Sequence, residues 1–95
     1  MSTDLHGTTA IVTGATGGMG RAITARLAAA GAQVIATDLS DAGADELMAT
    51  APDSIHFVAA DVSVADEIAG VVAAAMSRTG RLDSSVNAAA IEFET

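Results

Sequence analysis

Four glycines, Gly14, Gly17, Gly18 and Gly20, follow directly on a short apolar, β-branched run, TTAIVT from Thr8 to Thr13, and directly precede a helical pattern. Glycines so placed make a tight strand-to-helix turn, because backbone without a Cβ enters left-handed conformations and lets other groups come close. From Met19 the apolar positions Met19, Ala22, Ile23, Leu27 and Ala30 share one helical face, with Arg21, Thr24 and Ala28 opposite. Gly31 stands where a helix stop belongs.

The same alternation continues along the chain. Gln33 to Thr37, QVIAT, predicts a second strand ended by Asp38, and a helix is expected over 42–50, with Gly43 weakening its start and Pro52 closing it. A third strand is expected over 55–60, ended by Asp61. Ser63 then reads as an N-cap with Asp66 three residues on, and Val64, Ile68, Val71, Val72, Ala75 and Met76 as the buried stripe of the longest helix, stopped by Gly80. A fourth strand begins near Leu82 and runs toward Ala88. Strands alternating with helices predict an α/β fold, a partial doubly wound (Rossmann) domain over residues 1–95. Its parallel sheet of about four strands is expected in the order 3-2-1-4, with the first two helices on one face and the third on the other. The core is made of small pieces: 51% of the residues are hydrophobic, mostly Ala, Val, Ile and Leu, with two Phe and neither Trp nor Tyr. Short side chains suit helices lying close on a sheet.

Charge and composition exclude several partners. Twelve acidic residues stand against four Arg and no Lys, a net charge of -8, so no basic cluster is available to neutralise phosphates, and neither nucleic acid nor an anionic membrane is an expected partner. Without cysteine there is no disulfide, thiolate metal site or thiol chemistry. The N-terminus carries no secretory signal and no apolar run is long enough to cross a bilayer, so a cytoplasmic location is expected.

The glycine turn and the acid closing the second strand carry the chemistry. Amides at a helix N-terminus, reached over backbone without side chains, suit a pyrophosphate, although a purely steric strand-to-helix turn uses the same residues. Asp38 lies at about the distance from the turn where a dinucleotide fold places an acid on the adenosine ribose hydroxyls. The other use for such a carboxylate is to cap the next helix, a role open to Ser40 and Asp41 as well. Neither Leu39 nor Gly17 is basic, so a carboxylate without a neighbouring cation stands where an NADP phosphate would sit, and NAD is the expected cofactor in preference to NADP.

Thr13-Gly14-Ala15-Thr16-Gly17-Gly18-Met19-Gly20 resembles the TGxxxGxG cofactor signature of the short-chain dehydrogenase/reductase family, matched at Thr13, Gly14, Gly18 and Gly20. The resemblance extends to the end of the chain and implies an NAD site that also takes in Thr16, Met19, Asp38 and Leu39. It further implies that Asp61 and Val62 hold the adenine, the carboxylate and the next amide facing its edge, whereas Asp61 alone would read as a helix-initiating acid. Asn87-Ala88-Ala89-Ala90 resembles the family's Asn-Asn-Ala-Gly element, with Asn87 on the first Asn and Ala88 and Ala89 completing the site. Ala88 replaces the second Asn and Ala90 the Gly, so a sheet-stabilising side chain is lost and a methyl is added where backbone nears the cofactor ribose. Ser84 and Ser85 stand where that strand is usually apolar, and a buried hydroxyl without a partner costs about 1 to 3 kcal/mol, so the fourth strand is expected to be the weakest.

Family members move a hydride between nicotinamide and an alcohol or carbonyl, with a Tyr as acid/base, a Lys lowering its pKa and a Ser holding the substrate oxygen. This chain has no Tyr and no Lys, so neither member of that pair is present. His6, in a start expected to fray, and His56, in the third strand, are poor substitutes. No catalytic residue and no metal ligand is assigned. The resemblance implies the N-terminal, NAD-binding part of an NAD(P)-dependent oxidoreductase, its catalytic and substrate-binding part absent and its ending, IEFET, falling where a family member enters its next loop. Substrate binding and any oligomerisation then belong to a full-length form. The competing expectation is a non-catalytic NAD-binding or interaction module.

Overall fold

The computed structural model describes residues 5–80 and 82–87, with main chain alone at Thr79 and across 84–87. Apolar runs rich in β-branched residues form the strands β1 (Thr9–Thr13), β2 (Gln33–Asp38) and β3 (Ile55–Ala59), while β4 (Ser84–Asn87) is the polar run Ser-Ser-Val-Asn. Between them lie the helices α1 (Gly18–Ala29), α2 (Ala44–Ala49) and α3 (Ala65–Thr79). All strand pairs are parallel and the sheet order is β3-β2-β1-β4. Thr13 sits beside both Thr37 and Asn87, so β1, β2 and β4 finish level at one edge of the sheet. At the opposite edge, the Thr9 amide donates to the Asp83 carboxylate (2.9 Å) and the Asp83 amide to the Thr9 carbonyl (2.9 Å), fixing where β4 enters alongside β1.

Alternation along the strands divides the core into two layers. Val12, Val34, Ala36 and Ile55 meet α1 and α2 through Ala28 and Leu47. Ile11 and Ile35 meet α3 through Val71 and Ala75 on the other face. Because both faces are covered, β2 is buried continuously from Val34 to Thr37 rather than at every second position.

Glycine ends the helices where the chain must reverse. Gly31 follows α1 with φ +103° and Gly80 caps α3 with φ +80°, both left-handed conformations. Gly43, at φ +83°, precedes α2, so that helix begins at Ala44 rather than at the expected residue 42. The His6 ring lies against Gly31 and the Leu5 amide donates to the Ala30 carbonyl, so this part of the start is docked rather than frayed.

Three side-chain assignments change. The buried face of α1 is Gly20, Thr24 and Ala28; Ile23 and Leu27 are only partly buried, and Met19 is 46% exposed. Proximity decides this: the helix lies so close to the sheet that only small residues fit its line of contact. Ser63 does not cap α3, whose N-cap is Val64, since the Ser63 hydroxyl is given to Asp61. On α3, Val71 and Ala75 are buried as expected, but Val64, Ile68 and Met76 are about 40% exposed. Beneath the N-terminal half of α3 the described residues leave a cavity of about 310 Å³ lined by Thr13, Thr37, Val62, Ile68 and Leu82, among others. The side chains of Ser84 and Ser85 lie outside the described residues.

Candidate functional site

The glycine turn is built by a few main-chain contacts. Gly14 takes φ +66°, the Ala15 amide donates to the Thr37 carbonyl (3.1 Å) and the Gly17 amide to the Gly14 carbonyl (3.2 Å), tying the turn to the end of β2. Gly20 is where helix meets turn: a Cβ there would stand 2.0 Å from the Gly14 oxygen. Gly18 is the opposite case, since a Cβ built on it meets none of the described residues within 4 Å, and among them its position faces open space. The α1 N-terminus has no side-chain cap and no acidic residue in its first turn. Its positive end therefore carries no acidic side chain of its own first turn, the arrangement that suits a phosphate.

Asp38 closes β2 beside this turn. Its Oδ2 accepts from the Thr16 hydroxyl (2.6 Å) and the Thr16 amide (3.2 Å), and its Oδ1 from the Leu39 amide (2.9 Å). Burial pushes the carboxyl upward, but the bonds from the Thr16 hydroxyl and the Leu39 and Thr16 amides outweigh it, so Asp38 titrates below its ordinary value and is ionised near neutral pH. Asp38 does not cap α2; Ser40 accepts from the Ala42 amide in the intervening loop. Leu39 is 72% exposed and neutral, and Arg21 of α1 reaches toward Glu46 of α2 (3.8 Å).

A second acid leaves the same edge after β3. The Asp61 Oδ1 accepts from the Ser63 hydroxyl (2.6 Å) and amide (2.9 Å), which together hold its carboxyl below the ordinary value, while the Asp61 amide donates to Glu67 (2.7 Å). Val62 is 39% exposed and lines the cavity. The pinning of this turn by Ser63 and Glu67 was not foreseen. An Asp accepting from the amide two residues on is a local turn pattern, and Asp61-Val62-Ser63 carries its signature. No local pattern signals the bond from Thr16 to Asp38, because the two are 22 residues apart.

The sequence-derived set thus gathers at the C-terminal edge of the sheet: Thr13, Gly14, Thr16, Gly18, Met19 and Gly20 in the turn, Asp38 and Leu39 after β2, Asp61 and Val62 after β3. The Asn87 main chain reaches that edge beside Thr13, while the Asn87 side chain and Ala88 and Ala89 lie outside the described residues. His56 is elsewhere, about 10 Å back along β3 at about 3.3 Å per residue. Its Nε2 faces the Arg78 guanidinium (2.6 Å) and the Gln33 side-chain oxygen (3.2 Å). Burial and then the Arg78 charge lower its pKa, leaving a neutral ring remote from the glycine turn. Among the described residues no group of His, Asp and Glu side chains is arranged to hold a metal, and no helix is long and apolar enough to cross a membrane.

Comparison with known proteins agrees with this architecture. The chain is 41% identical over 88 residues to the sex determination protein tasselseed-2 of Zea mays, covering 92% of this chain and 26% of that protein. A short-chain dehydrogenase/reductase (glucose/ribitol dehydrogenase) from Brucella melitensis superposes with a TM-score of 0.82 at 39% identity, over 90% of this chain and 37% of that one. A 3-ketoacyl-(acyl-carrier-protein) reductase from the same organism, solved in complex with NADH, gives a TM-score of 0.79 at 35% identity, over 86% and 34%. The chain spans about a third of the length of the curated relatives it matches. Residues 8–95 match the family model described as short chain dehydrogenase, and with these likenesses the chain belongs to the short-chain dehydrogenase family.

Proposed function

We propose that this chain is the NAD-binding part of an NAD-dependent oxidoreductase acting on an alcohol or carbonyl compound. One observation carries this: the positive N-terminus of α1, without a side-chain cap and with space before Gly18 among the described residues, shares a sheet edge with an ionised Asp38. The first offers amides to a pyrophosphate and the second a charged acceptor to a ribose hydroxyl. Gly14, Gly18 and Gly20 shape the turn, with Thr13, Thr16 and Met19 around it and Leu39 flanking the ribose. Asp61 and Val62 receive the adenine, and Asn87, Ala88 and Ala89 extend the site past β4. The neighbour solved with NADH supports a nicotinamide dinucleotide as ligand. When bound, that cofactor supplies hydride chemistry; the residues of this chain bind and orient it. No catalytic role falls to them, since the sequence holds neither Tyr nor Lys and His56 is remote from the turn.

NAD rather than NADP is the ligand, because a 2′-phosphate would meet the Asp38 carboxylate with no cation at Leu39 to offset it. Like charges set against each other cost several kcal/mol, so calorimetric titration should give an affinity for NAD at least about tenfold above that for NADP. Asp38→Ala combined with Leu39→Arg should move the preference toward NADP. Equal or tighter binding of NADP by the unmodified chain would overturn the assignment of Asp38.

A further inference from the structure

We propose that Thr16 is a positioning residue: its hydroxyl holds the Asp38 carboxylate so that one fixed, charged acceptor meets the ribose, and the rejection of a 2′-phosphate depends on it. This rests on the dinucleotide site described above and assigns to Thr16 a part separate from contact with phosphate. An ionised carboxylate has about four lone-pair sites, two on each oxygen. Thr16 occupies both on Oδ2, with its hydroxyl at 2.6 Å and its amide at 3.2 Å, and the Leu39 amide takes one on Oδ1 at 2.9 Å. Among the described residues a single site is left, on Oδ1, so a ligand hydroxyl finds one acceptor pointing one way.

The anchor is rigid at both ends. On either side of Thr16 the backbone is held, by the Ala15 amide on Thr37 and the Gly17 amide on Gly14, and Asp38 itself ends a paired strand. Asp38 is only half-buried, and without the Thr16 hydroxyl its carboxylate can turn away toward water. A phosphorylated ribose would then meet less repulsion, and a free hydroxyl a less well-placed acceptor. A bond that only stapled the turn to β2 would leave the ratio of the two affinities where it was.

The test compares Thr16→Val, which keeps the shape and removes the donor, with Thr16→Ser, which keeps the donor, and with Asp38→Asn. Each is titrated calorimetrically with NAD and with NADP, and the Asp38 carboxyl carbon is followed by NMR through acid titration. Thr16→Val should lower the NADP-to-NAD ratio of dissociation constants by about tenfold, as loss of one charge-assisted bond implies, and Asp38 should titrate at higher pH. Thr16→Ser should keep the ratio within about twofold of the parent. Thr16→Ala, which adds no methyl against the turn, replaces the Val variant if that variant does not fold. If neither donor-less variant moves the ratio while Asp38→Asn erases it, the role of Thr16 is refuted and the dinucleotide site stands. If the unmodified chain binds neither dinucleotide, both fall together.

Discussion

A single methyl group added at Gly20 or at Gly18 should have opposite consequences, although the two lie in the same turn of α1. At Gly20 the new Cβ would stand 2.0 Å from the Gly14 oxygen, 2.7 Å from the Gly14 carbonyl carbon and 2.9 Å from the Ala15 Cα. Against the 3.4 Å of an ordinary contact the worst overlap is about 1.4 Å, and the atoms struck are backbone, so no side chain can swing aside. Overpacking typically costs 1 to 3 kcal/mol, and an overlap with backbone belongs at about 3. The better helix propensity of Ala returns about 1 kcal/mol, leaving a net loss of roughly 2. For a domain of this size 1 kcal/mol corresponds to about 4–8 °C, so Gly20→Ala should lower Tm by roughly 10 °C. Gly18→Ala meets none of the described residues within 4 Å and should leave Tm within a few degrees, but its methyl occupies the space before the first amides of α1 and should weaken NAD binding by about tenfold or more. Thermal unfolding by circular dichroism and calorimetric titration read the two effects separately. A Gly20→Ala chain as stable as the parent would refute the close approach of helix to turn, and a Gly18→Ala chain that binds NAD unchanged would refute the placement of the phosphate.

Four further outcomes are expected. Leu47 is 1% exposed and anchors the six-residue α2, which is too short to be helical alone, so Leu47→Ala should cost about 3 kcal/mol in urea unfolding. The Thr24 hydroxyl is buried in α1 without a partner among the described residues, so Thr24→Val should be neutral or stabilising by about 1 kcal/mol in the same assay; a clear loss would show that the hydroxyl is satisfied. Because the folded-state pKa of Asp38 is depressed, its contribution to stability is complete above the ordinary carboxylate value of 3.8 and is lost as pH falls through the folded value. Asp38→Asn should therefore flatten the acid limb of a stability-versus-pH curve. Finally, purified chain incubated with NADH and a panel of ketones and aldehydes should show no turnover above a protein-free control, since it has no Tyr or Lys to serve as acid; sustained turnover would point first to His56.

What the sequence made legible was whatever depends on neighbours along the chain. Runs such as TTAIVT and QVIAT, the stops at Gly31 and Gly80 and the glycine turn are local patterns, and each falls within a residue or two of its place. Hydrophobicity alone does not mark the inward face of α1, because the distance between helix and sheet selects Gly20, Thr24 and Ala28. Ser63 with an acid three residues later fits a helix cap equally well, but Asp61, two residues before, competes for the same hydroxyl and wins. The exposure of Val64, Ile68 and Met76 could not be read from period alone, since a stripe says which way residues point and not whether anything meets them there. The Thr16–Asp38 bond joins segments 22 residues apart and becomes visible only when β1 and β2 are paired.

The pairing of Thr9 with Asp83 bears on how the chain reaches this fold. β1 lies between β2, whose register partner Gln33 is 24 residues from Thr9, and β4, whose anchor Asp83 is 74 residues away. Loop closure grows with the logarithm of length, so the second pairing costs about 1 kcal/mol more entropy than the first and should come later. At roughly 5 to 20 residues per second on a ribosome, some 50 residues of further synthesis leave one edge of β1 open for about 3 to 10 s. An open edge accepts any strand that offers itself. Asp83 narrows the choice, because its carboxylate and its amide fit the Thr9 amide and carbonyl in one register, and a strand slipped by one residue would satisfy neither. Of the two strands that flank β1, the later to arrive thus carries its own alignment key at its leading end.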